Sequence, residues 1–128
     1  MWHTYFVDNP KFKELVWIGS TKEDLKIFPA EVRNIMGYAL YVAQAGGKHP
    51  DAKPLKGFKG AGVLEVVDNY KRNTYRMVYT VKLRGAVYAL HAFQKKSKKG
   101  IATPKADIDL INARLKRAKE FHDKGDIL

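Results

Sequence analysis

Cysteine is absent. That excludes disulfides and thiolate nucleophiles, and it fits a cytoplasmic protein. No apolar run is long enough to span a bilayer and no charged-then-apolar leader is present, so no membrane association is expected. The histidines, His3, His49, His91 and His122, are far apart and form no HxxxH pair, so no metal site is expected. A GxSxG elbow is missing, which leaves a Ser-His-Asp mechanism unsupported. GxGxxG and GxxxxGKS/T are missing too, so the chain is expected to work without a cofactor. Acidic residues are also scarce. Asp and Glu number 13 against 24 Lys and Arg, and the resulting net charge of +11 favours a polyanionic partner, nucleic acid first.

What the chain does contain suits one domain over residues 1–128. Its 45% apolar and 12% aromatic residues suffice for a core. Residues 1–12 show no period and stand as an arm or a tag remnant. The centre is the stretch from Thr74 to Pro104. Thr74–Leu83 and Ala86–Phe93 are rich in β-branched and aromatic residues and flank Arg84-Gly85, which predicts a hairpin. Alternation puts Tyr75, Met77, Tyr79, Val81 and Leu83 on one apolar face, and Thr74, Arg76, Val78, Thr80 and Lys82 on the other. A two-residue turn at Arg84-Gly85 pairs Leu83 with Ala86, Val78 with His91 and Arg76 with Phe93. His91 and Arg76 are then diagonal neighbours, roughly 7–8 Å apart at the backbone. A three-residue turn would send His91 to the other face.

Elsewhere, Leu15–Ile18 is a short apolar run that reads as a first strand. Ser20 and Glu23 have capping-box spacing, predicting a helix from Thr21 to about Phe28. Pro29 opens a second helix whose stripe is Val32, Ile35, Met36, Ala39 and Ala43, stopped by Gly46-Gly47. Residues 46–62 form a long loop with five glycines, two prolines and four lysines, a length that is usually functional or mobile. Val63–Val67 is the next strand, and Asp68–Asn73 the turn after it. Thr103 as cap and Pro104 as first residue start a last helix with the stripe Ile108, Ile111, Leu115 and Ala118. Its cations Arg114, Lys116, Arg117 and Lys119 suit the helix dipole and need no other partner, while His122 onward reads as a fraying tail. The fold class expected is α+β, with helices packed on one face of a small antiparallel sheet.

The chemistry these residues allow is metal-independent RNA cleavage, in which the 2′-hydroxyl is the nucleophile. The protein supplies a base, cations for the charge on phosphorus, and an acid for the 5′-oxygen. His91 suits either proton role. Arg76 can hold a phosphate as a charged fork, although a salt bridge to Glu65 is its ordinary structural explanation. Lys95, Lys96, Lys98 and Lys99 crowd four cations into five residues, and such a run more often binds phosphate than reacts. Lys53 and Lys56 in the long loop are further candidates for phosphate contact.

Four segments carry a family resemblance: Trp17-Ile-Gly-Ser20, AKPLKG at 52–57, TYRMVYTV at 74–81 and LHAFQKKSKKGIATP at 90–104. With them the chain resembles the phage-derived, Gp49-like branch of HigB toxins in the RelE/ParE superfamily. The resemblance implies a RelE-like fold, its antiparallel sheet flanked by an N-terminal helical pair and a C-terminal helix. It implies a type II toxin, an endoribonuclease that cleaves mRNA on the ribosome and is silenced by a small, often helix-turn-helix, antitoxin. It also points to Arg76, His91, Lys95 and Lys96 as catalytic and to Lys53 and Lys56 at the RNA, while the crowding of the lysine run assigns Lys98 and Lys99 to RNA binding. The catalytic tyrosine that some members carry near the C-terminus has no counterpart, since the last tyrosine is Tyr88. A non-catalytic nucleic-acid binder, or a gyrase inhibitor of the ParE kind, is the alternative.

Overall fold

From Tyr75 to Thr80 every residue is buried, the polar Arg76 and Thr80 included. A strand buried on both sides needs cover on both sides, and that requirement shapes the molecule. The computed structural model describes residues 12–58, 60, 62–95 and 103–125. Lys96, Lys98, Lys99 and the proposed arm up to Lys11 lie outside the described residues.

In chain order the elements are β1 (Glu14–Trp17), α1 (Thr21–Lys26), α2 (Ala30–Gln44), β2 (Ala52–Pro54), β3 (Val63–Tyr70), β4 (Asn73–Thr80), β5 (Ala86–Lys95) and α3 (Lys105–Asp123). The five strands form one sheet in the order β1-β5-β4-β3-β2. The class is α+β, but the sheet is mixed rather than antiparallel, because β1 runs parallel to β5 from Glu14↔Ala86 to Trp17↔Ala89. The helices also take two faces instead of one. Leu25 and Phe28, together with Val32, Met36, Ala39, Leu40 and Ala43 of α2, pack on Val66, Tyr75, Met77, Tyr79, Val87 and Ala89. On the other side Ile111, Leu115 and Ala118 of α3 pack on Val63, Val78, Ala86, Tyr88 and Leu90. The mixed face of β4 is therefore interior.

Helix starts differ from the sequence expectation in one consistent way: no side chain caps them. Ser20 Oγ donates to Asp24 Oδ2 at 2.7 Å, so the Ser20–Glu23 box does not form. Pro29 and Pro104 are themselves the N-cap residues. Thr103 is thus free of capping duty, and its hydroxyl serves elsewhere. His122 does not fray: the helix runs to Asp123, and His122 Nδ1 meets the Tyr88 hydroxyl at 3.1 Å.

The β4–β5 connection is longer than a two-residue turn. Thr80 is the last residue of β4 and faces Tyr88, so Leu83 and Ala86 are not ladder partners. A bulge between Val78 and Tyr79 then adds one residue, Leu90, on the β5 side, and beyond it Val78 faces His91 and Arg76 faces Phe93. The expected register is restored by the bulge rather than set by the turn. Consecutive residues Leu90 and His91 both turn toward α3, Leu90 into its core and His91 to Asp107.

The β3–β4 connection is shorter than expected. The ladder continues to Tyr70↔Asn73, leaving only Lys71 and Arg72 as the turn. Their φ values are 47° and 72°, the left-handed pair a two-residue hairpin requires and usually fills with Asn-Gly. Side chains other than Gly adopt that region at about 1–2 kcal/mol each.

Candidate functional site

AKPLKG folds as an edge strand followed by a turn. Lys53 in β2 stands across from Glu65 in β3. Gly57 has φ 93°, a conformation open to glycine, and it lets Phe58 N–H donate back to the Leu55 carbonyl at 3.3 Å. Leu55 and Phe58 are buried on the α3 side, so the turn is anchored while Lys56 is exposed. Between this turn and the start of α3 lies a cleft of about 590 Å³, lined by Lys53, Pro54, Leu55, Lys56, Gly57, Glu65, Thr103 and Ile108. Its walls are largely apolar, with Lys53, Lys56 and Glu65 as the charged lining residues, the usual make-up of a ligand site.

Glu65 is the polar centre of the cleft. Its side chain is 13% exposed, and Oε2 lies 3.0 Å from Arg76 Nη1. The same oxygen accepts from Thr103 Oγ1 at 2.9 Å. Two donors on Oε2 fix the carboxylate and leave Oε1 without a hydrogen-bond partner among the described residues. Arg76, at 4% exposure, lies beneath Glu65 and is itself no part of the cleft lining.

His91 belongs to the same sheet face but to another layer. Lys53, Glu65, Val78 and His91 form one row across four strands. His91 is buried; its Nε2 donates to Asp107 Oδ1 of α3 at 2.7 Å, and its ring stacks on Phe93 with centroids 4.5 Å apart. Its Nδ1 is buried with no partner among the described residues. Lys95 is at the far end of β5, across from Thr74. The structure thus brings together Lys53, Lys56 and, through Glu65, Arg76, and it does not bring His91 or Lys95 to the cleft.

Arg114 has specific partners, contrary to its expected role as a mere complement to the helix dipole. Nη1 donates to the Leu90 carbonyl at 2.9 Å and to Thr21 Oγ1 at 3.2 Å, and Nη2 to Ser20 Oγ at 3.3 Å. Burial lowers its pKa, Asp24 opposes that shift and Arg117 adds to it. The guanidinium lies against Gly19, where a Cβ would come within 2.8 Å of it. Glu65 and Thr103 are the cleft residues sequence reasoning passed over. The available signal was a carboxylate inside the apolar run Val63-Leu64-Glu65-Val66-Val67.

The family model described as phage derived protein Gp49-like matches residues 23–116. The chain belongs to the Gp49-like family. The match spans α1 to α3, so the cleft and the Arg76–Glu65 pair lie inside the shared domain of this Gp49-like protein. No curated protein matches the chain. Among the described residues, no group of His, Asp and Glu suits a metal ion, and no helix is long and apolar enough to cross a membrane.

Proposed function

We propose that this Gp49-like protein is the toxin of a type II toxin–antitoxin pair, a HigB-like endoribonuclease acting on mRNA at the ribosome in the cytoplasm. The observation that carries this reading is the cleft, where a fixed carboxylate with one open oxygen lies under two lysines. In it, Glu65 Oε1 takes the proton of the 2′-hydroxyl and O2′ forms a bond to phosphorus. The P–O5′ bond breaks, and Lys56 gives a proton to the departing 5′-oxygen. The products are a 2′,3′-cyclic phosphate and a 5′-hydroxyl. Lys53 and Lys56 hold the phosphate, and Arg76 holds Glu65 in place. Glu65 thereby takes the base role that sequence reasoning left between His91 and the lysines. A small helix-turn-helix antitoxin is the partner this reading expects.

Primer extension on transcripts after induction tests the activity, with Glu65→Gln as the decisive variant. The amide is close in shape and keeps an oxygen for Arg76 and Thr103, but it is no base, so cleavage should fall by about 10²–10⁴. Undiminished cleavage by a folded Glu65→Gln protein would sink the assignment. One observation favours a second reading: Arg76 and His91 are both buried and already held by carboxylates. That suits a scaffold for a non-catalytic nucleic-acid binder or a gyrase inhibitor. Growth arrest with intact mRNA would decide for it.

A further inference from the structure

The turn Lys71-Arg72 closes a two-residue hairpin with both residues in the left-handed region. Asn-Gly fills such a turn with less strain. Among the described residues no carboxylate or hydrogen-bond acceptor accounts for two long cations there. Both side chains are exposed, and among the described residues Lys71 meets only the Tyr70 ring, its Nζ 5.4 Å from the centroid. Arg72 makes no hydrogen bond or ion pair among the described residues. The hairpin beneath the tip is firmly paired, and Thr74 Oγ1 donates to Asn69 Oδ1 at 2.9 Å. Lys95, across from Thr74, brings a third cation to the same end of the sheet. Strain kept at an exposed tip is a mark of function.

We propose that the Lys71-Arg72 tip is a second anionic-ligand site, one that grips the phosphate backbone of an RNA outside the cleft. The assignment of RNA rests on the reading of the cleft given above. Five residues of extended strand, Val66 to Tyr70, separate Glu65 from the Lys71-Arg72 turn, so the tip stands roughly 20 Å from the cleft. It therefore meets a different stretch of the strand held there. A paired hairpin carrying an always-charged fork and a point charge suits phosphate oxygens, and it reads no base. The tip contributes affinity and leaves the chemical step alone.

The test replaces the pair by its unstrained counterpart, Lys71→Asn with Arg72→Gly, in the full chain. Relief of strain should raise Tm by roughly 5 °C. Binding to a labelled single-stranded RNA of mixed sequence should meanwhile weaken roughly tenfold. The slope of log affinity against log salt should become shallower by about 1.4, the share of two phosphate contacts on a single strand. Single-turnover cleavage at saturating RNA should not change. Stability and RNA affinity thus move in opposite directions, which a merely structural turn would not produce. Unchanged affinity and slope would overturn the proposal, and so would a variant that melts lower and binds and cleaves less. A parent chain that binds RNA without cutting it removes the endonuclease reading but leaves the binding comparison decisive.

Discussion

Arg76 and Glu65 constrain each other's use. Arg76 was legible as a cation out of place on a strand, and its carboxylate partner was legible as the ordinary explanation. The sequence did not reveal that the same carboxylate lines a cleft, because that depends on Thr103 arriving from 38 residues away. Burial changes what mutating the arginine would mean. Arg76→Ala leaves Glu65 as an unpaired, mostly buried charge, which should cost about 3–5 kcal/mol and appear as a large drop in denaturant midpoint. Loss of the proposed activity in that variant would then report unfolding. Glu65→Gln keeps an oxygen acceptor for Arg76 and Thr103 but removes the carboxylate charge beside the buried guanidinium, so its melting temperature is compared with the parent's before its cleavage is read. Asp68 makes the opposite case. Burial, then Asp51 and Glu31, push its carboxyl above the usual range. A raised folded pKa means the native state is favoured below the unfolded value of 3.8 and loses that advantage as pH rises through the folded value. Asp68→Asn should therefore raise Tm at pH 7 and leave it unchanged near pH 3, as paired thermal melts would reveal.

At the scale of the element, the β-rich hairpin and both apolar helix stripes were readable because their periods are strong. The bulge in β5 was not. It adds a single residue, and neither Leu90 nor His91 breaks the pattern of side chains expected of a strand. What marks it in three dimensions is the partner of its carbonyl, the Arg114 guanidinium from α3. Arg114 thus joins the bulge to the β1–α1 turn through Ser20 and Thr21. Arg114→Ala should strand the Leu90 carbonyl and cost about 1–3 kcal/mol. The amide signals around Leu90 and His91 should shift with it. A variant with unaltered stability and spectra would show that water replaces the guanidinium without loss.

For the molecule as a whole, charge and composition marked out a basic α+β domain, and the element types followed. The mixed sheet and its two covered faces did not follow, because the second face of β4 carries Arg76 and Thr80, and polar side chains suggest water. Here they face inward: Arg76 is paired to Glu65, and Thr80 donates to the Gly62 carbonyl at 3.0 Å. The distribution of cations was legible only in part. Lys53 and Lys56 both line the cleft, Lys53 from an edge strand inside the stretch read as a loop. Lys71 and Arg72 drew no notice, because a turn read as six residues long implies no strain at any of them.

The parallel pairing of β1 with β5 also bears on how the chain folds. Its first strand finds its place only against a strand that begins at Ala86. Closing so long a loop is costly in entropy and slows the search for the native topology. A chain emerging from the ribosome N-terminus first must carry α2, with Val32, Met36 and Leu40 uncovered, until the meander is complete. Native packing and the cleft that depends on Thr103 then form late in synthesis. A nascent chain of this kind has no formed cleft until nearly the last helix has been added.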